Sequence, residues 1–220
     1  MTRRTKWVIY LVFFVLLLTG FYYFLFRGTD NWKSKLPTID YVKAFSFPNQ
    51  DGKMVSNSDV EGKVYVANYF FTTCHGICPD LISHVKTVYE AYKGNDGVKF
   101  LSLTCQPEND SVAVLKHYAD SLKIDEKQWQ FLTGNKLELY KTARESFHID
   151  DPKNNVGKIE DQFLHSQFLA LIDKSGKVRG VYDGLKQSEM EKLKEDIADV
   201  SKEKADKATF VNNIFNNNPQ

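Results

Sequence analysis

The stretch VYVANYFFTTCHGICPD, residues 64–80, is an apolar run that breaks into two cysteines and a proline. Residues 64–71 are β-branched, aromatic or small apart from one asparagine, the composition of a strand buried on both faces. Cys74 and Cys78 follow with three residues between them. Gly76 lets the intervening backbone turn tightly. Pro79 suits the first turn of a helix, where its missing N–H costs nothing. A strand running through a cysteine turn into a helix is half of a β-α-β unit, and sites in such sheets gather outside the C-terminal ends of the strands.

Downstream, Leu81, Ile82, Val85, Val88, Tyr89 and Tyr92 fall on one helical face, and Gly94 is a natural stop. VKFLSLTC, 98–105, reads as a second strand. Asn109 or Asp110 is expected to cap the next helix, which carries Val112, Val114, Leu115, Tyr118, Ala119 and Leu122. WQFLTG, 129–134, holds a short third strand, and a helix lies near 135–147. Residues 148–163 are polar, acidic and aperiodic, a long loop of the kind that is often functional and is expected to move. Residues 166–184 read as a hairpin turning at Lys174-Ser175-Gly176, and a last helix covers 187–201. Upstream, residues 44–63 form a small hairpin turning at Asp51-Gly52. The alternation predicts an α/β fold with a largely parallel sheet covered by helices on both faces.

The N-terminus is of another kind. Trp7–Phe26 contains no charged residue, and a helix of about 20 residues spans a hydrocarbon core of about 30 Å. Trp7, Tyr10, Tyr22 and Tyr23 suit the membrane interfaces. Bulky aromatics stand where a signal peptidase would need small residues, so an uncleaved anchor is expected rather than a signal peptide. Arg3, Arg4 and Lys6 keep residues 1–6 in the cytoplasm. The expected organisation is therefore a single-pass anchor at 7–26 in the inner (cytoplasmic) membrane and a linker at 27–42. A domain at 43–202 then faces the periplasm, with a mobile asparagine-rich tail at 203–220. Lys and Arg number 29 against 28 Asp and Glu in 220 residues, a balance that gives no reason to expect nucleic-acid binding.

An outer compartment permits disulfides. A static bridge across so short a loop would constrain little, which leaves redox and metal chemistry. A helix N-terminus is expected to lower the Cys78 thiol pKa, and the thiolate serves both chemistries. Two thiolates select a soft ion such as Cu(I), or zinc, and a histidine is the natural third ligand. Of five histidines, His75 is expected to point to solvent, His84 and His117 to lie on helix surfaces, and His148 to open the long loop. His165 stands in FLHSQFLALID, where that loop meets the next strand. The third cysteine, Cys105, is expected to pack as a small hydrophobe at the end of its strand. The alternatives are an extra soft ligand or a disulfide with Cys74.

TCHGICPD followed by LHS before a strand resembles the Sco/SenC family, membrane-anchored copper proteins of cytochrome c oxidase assembly. The resemblance covers about residues 43–200 and extends to the N-terminal anchor. It implies a thioredoxin-like sheet flanked by helices, with copper held by Cys74, Cys78 and His165. It also implies a metallochaperone for the copper A centre, docking to the oxidase subunit that carries that site. The rival it implies is a thiol-disulfide oxidoreductase that uses Cys74 and Cys78 as a redox pair on a periplasmic partner, with a thiol reductant behind it. Two positions depart from the family pattern: Gln106 replaces the first aspartate of a DPERD-like segment, and Leu164 replaces an aspartate before the histidine. Fewer carboxylates favour Cu(I) over the harder Cu(II).

Overall fold

The computed structural model describes residues 2–26, 36–154, 157–164 and 166–205. The chain divides into two compact units, residues 1–35 and 36–220. The first is α1 (Arg3–Phe26), apolar on every face past its basic first turns. Arg3–Phe24 is long and apolar enough to cross a membrane, and its side chains are not buried in the protein. The Thr19 hydroxyl, the polar side chain in its middle, donates back to the Val15 carbonyl at 2.6 Å, as a hydroxyl does where no water competes.

The second unit begins with β1 (Asp40–Tyr41), β2 (Ser46–Pro48), β3 (Met54–Ser56) and the short α2 (Asn57–Val60). Its main body is β4 (Val64–Phe70), α3 (Cys78–Tyr92), β5 (Val98–Thr104), α4 (Val112–Leu122), β6 (Trp129–Leu132) and α5 (Lys136–Glu145). It closes with β7 (Phe168–Ile172), β8 (Lys177–Asp183) and α6 (Gln187–Lys202). Six strands form one sheet in the order β1-β8-β7-β4-β5-β6, and β2 and β3 form a separate hairpin.

The sheet is mixed, which corrects the expectation of a largely parallel one. β4, β5 and β6 run parallel. β7 pairs antiparallel with β4, β8 with β7 and β1 with β8. The reversal between β7 and β8 is local: a turn as tight as the one at Asp173–Gly176 can only reverse a strand, whereas parallel pairing needs a long crossover.

β4 is central and buried at every position. Its side chains alternate with the period of a pleated strand. Val64, Val66 and Phe70 join the core under α3, α4 and α6, while Tyr65, Ala67 and Tyr69 join the core under α5 and the β2–β3 hairpin. Asn68 interrupts the run. The Ser102 hydroxyl donates to its Oδ1 at 2.7 Å, and the Trp129 indole donates to that hydroxyl at 2.9 Å.

Two boundaries differ from the sequence reading. α4 is capped by Ser111, whose hydroxyl accepts from the Val114 N–H, and not by Asn109 or Asp110. Asp110 is instead buried. Residues 36–42, within the stretch read as a linker, are built into the second unit: Asp40 and Tyr41 pair with Val178 and Lys177. The buried Arg179 guanidinium donates to the Leu36 carbonyl at 2.6 Å, to Asp173 at 3.0 Å and to Glu203 at 2.7 Å. Residues 27–35 and 206–220, the rest of the expected linker and most of the expected tail, lie outside the described residues.

Candidate metal centre

β4 ends at Phe70, and the chain turns through Thr72 and Thr73 with the Cys74 N–H on the Phe71 carbonyl at 3.2 Å. Cys78 is the first residue of α3, with Pro79 in its first turn. Both thiols are free, and both residues are almost closed to solvent, at 9% and 6% exposure. They belong to the core cluster under α3. Burial, and after it the neighbouring Cys74 thiol, push the Cys78 thiol up to about 12. This overturns the expectation of a lowered pKa. A helix N-terminus contributes about 0.3–1 kcal/mol, whereas burying a charge shifts a pKa by up to about 3–5 units. Desolvation wins, and the Cys78 thiol keeps its proton until a cation replaces it.

The cysteine turn is stitched to the loop after β5. Asp110 is fully buried. It accepts the Thr72 N–H at 3.3 Å and the hydroxyls of Thr72 and Thr104. The Thr73 hydroxyl donates to Gln106 at 3.3 Å, and the Gln106 N–H donates to Thr104 Oγ1 at 2.9 Å. Gln106 therefore occupies its place beside the turn as a neutral amide. Sequence reasoning missed the role of Asp110. The available signal was a pair of threonines at the ends of two adjacent parallel strands, each an O–H donor in need of an acceptor.

Cys105 has 2% exposure and points into the opposite core cluster, under α5. Its position is level with the site because Phe70 pairs with Thr104 and the Cys105 N–H donates to the Phe70 carbonyl at 2.8 Å. Burial raises its thiol pKa well above the ordinary value. A small cavity joins the two halves, lined by Phe71, Ile77, Cys78, Cys105, Leu164 and Ser166 among others.

His165 lies outside the described residues, and its neighbours on both sides line this cavity with Cys78. The Ser166 hydroxyl donates to the Ile149 carbonyl at 2.7 Å, and Leu164 is buried in the core under α5. The other histidines stand apart. His75 and His117 are exposed. His84 is half-buried, with Nδ1 2.8 Å from the Gly184 carbonyl. His148 takes a left-handed backbone (φ 54°) with Nε2 2.9 Å from Asp40. Among the described residues no group of three His, Cys, Asp or Glu side chains is arranged to hold a metal ion. Two neighbouring soft donors in a mostly apolar wall fit a soft monovalent ion better than a hard one.

The sequence profile of the family described as SCO1/SenC matches residues 33–202. The SCO1 protein homolog of Bacillus subtilis (strain 168) is 31% identical over 189 residues, covering 84% of this chain and 95% of its own. A solved structure of BsSco is described as a member of the Sco family of cytochrome c oxidase assembly proteins, in which a disulfide switch was identified. It is 30% identical, covers 78% of this chain and 100% of its own, and superposes with a TM-score of 0.65. Arabidopsis thaliana ScoI, solved with copper bound, shares the fold at a TM-score of 0.58 and 21% identity, covering 72% of this chain and 99% of its own.

Proposed function

Because the chain belongs to the SCO1/SenC family and has its thioredoxin-like fold, we propose that it is a membrane-anchored copper metallochaperone that assists assembly of the copper A centre of cytochrome c oxidase. Copper is the cargo. Cys74 and Cys78 supply two sulfur ligands and His165 an imidazole nitrogen. The observation that carries this reading is the pair of buried, free thiols in the turn from β4 into α3, one of which, Cys78, lines a cavity with the residues on either side of His165.

Cu(I) is favoured over Cu(II). The ligands' surroundings are apolar, and the neutral Gln106 and Leu164 stand where family members carry aspartates. Loading displaces the thiol protons, so uptake releases acid. Three ligands leave the ion open to a fourth from an acceptor, which allows exchange into the oxidase subunit that carries the copper A site. α1 holds the protein in the inner membrane, with the second unit in the periplasm. The rival role, reduction of a partner's cysteines with a thiol reductant behind it, needs a thiolate to attack. In that role Cys74 would attack and Cys78 would resolve, and a Cys78 thiol held at about 12 weighs against its resolving step.

The test is competition of the purified full-length protein against a chromogenic Cu(I) chelator, wild type beside His165→Ala. The substitution is expected to weaken Cu(I) binding more than about tenfold, as loss of even supporting groups typically costs 10–100-fold. Unchanged affinity, with thiol-disulfide exchange intact, would hand the function to the rival.

A further inference from the structure

Three residues at four-residue spacing on α5, Lys136, Tyr140 and Arg144, share one helical face over about 12 Å. Their polar tips reach the two loops that border the cysteines. Lys136 Nζ reaches the Glu160 carbonyl at 3.4 Å and the Glu108 carboxylate at 3.3 Å. The Tyr140 hydroxyl accepts the Leu164 N–H at 3.1 Å and donates to the Cys105 carbonyl at 2.8 Å. Arg144, nearly buried, donates to Asp150 at 2.7 Å and to Gln162 at 2.8 Å. Lys136 and Arg144 also lie over the Tyr140 ring, at 5.6 and 5.4 Å from its centroid.

These contacts fix a relation that no single loop could fix alone. Glu160, Gln162 and Leu164 belong to the segment leading into His165. Cys105 and Glu108 belong to the loop that Asp110, Gln106 and Phe70 tie to the cysteine turn. One hydroxyl, acting as donor to one segment and acceptor from the other, closes the link. A buried ion pair such as Arg144–Asp150 adds little net stability against an apolar replacement. Its directional bonds do define the path of the loop.

We infer that the Lys136–Tyr140–Arg144 stripe is a positioning device that sets the third copper ligand relative to the cysteine pair. Tyr140 is its central residue. None of the three touches the ion; they act through Leu164 and Gln162. This rests on the reading of His165 as a ligand.

Full-length Tyr140→Phe keeps the ring and removes only the bridging hydroxyl. Two readouts follow on Cu(I) alone: the rate of copper loss to an excess of chelator, and the imidazole signal of His165 in a histidine-labelled NMR spectrum. Wild type should show one His165 signal that shifts on Cu(I) addition. Tyr140→Phe should lose copper about tenfold faster, in the range typical of supporting groups, with the Cu(I)-bound imidazole signal broadened or split. Arg144→Lys, which keeps the charge and loses the fork, should move both readouts the same way. It serves as the deciding variant if Tyr140→Phe does not fold. Wild-type rates and a single sharp signal in the folded variants overturn the inference. If His165→Ala itself binds Cu(I) like wild type, the ligand assignment has failed instead, and the two failures are told apart.

Discussion

Asp110 and Cys105 sit on the same short loop and predict opposite behaviour. Asp110 is a buried carboxylate whose described partners are two hydroxyls and a backbone N–H. Asp110→Asn leaves one acceptor oxygen and introduces an NH₂ that faces hydroxyl donors. Stranding one buried polar group costs about 1–3 kcal/mol, so the apo variant should lose about that much unfolding free energy in a urea titration. Cys105 packs among apolar neighbours, and among the described residues its hydrogen bonds run through its backbone. Cys105→Ser should leave Cu(I) affinity unchanged in the same assay. A marked loss of affinity in that variant would place the sulfur among the ligands, and an Asp110→Asn protein as stable as wild type would mean that the hydroxyls find other acceptors.

At the scale of elements, the structure adds most to the sequence reading in the loop between α5 and β7. Its polar, aperiodic residues 148–163 read as a loop that moves. In the structure its start is pinned through Arg144 and Asp150 and its end through Tyr140 and Leu164, with an exposed turn at Pro152–Asn154 between them. Hydrogen exchange on the apo protein should therefore be uneven, fast at 152–154 and slow at 162–164. Uniformly fast exchange would contradict the pinning. β4 and α3 were legible because their periodicities are local and Gly94 closes the helix in the left-handed region (φ 79°). The β7–β8 hairpin was legible too, but its direction beside β4 was not, because a turn states only how two strands relate to each other. The cap of α4 failed for a related reason. Asn109, Asp110 and Ser111 all satisfy the local rule, and the choice was made by Thr72 and Thr104, distant in sequence or sitting in another element. Likewise the thiol pair was legible, but the sign of the Cys78 shift depended on burial, which spacing does not report.

The whole molecule joins an apolar helix to a folded unit that begins at Leu36. With α1 as an uncleaved anchor, the full-length protein should fractionate with membranes, and protease added to spheroplasts should cut the second unit. Recovery of a shortened, soluble form would mean that the segment is removed as a signal peptide.

Arg179 holds the Leu36 carbonyl and Glu203 together near the start of β8, beside the residues that pair with the start of β4. The cysteines follow the other end of β4, about 20 Å along a seven-residue strand. Any pull applied at Leu36 therefore enters the sheet at the base of β4, across strands that share the load sideways, and leaves the cysteine turn at the opposite end unloaded.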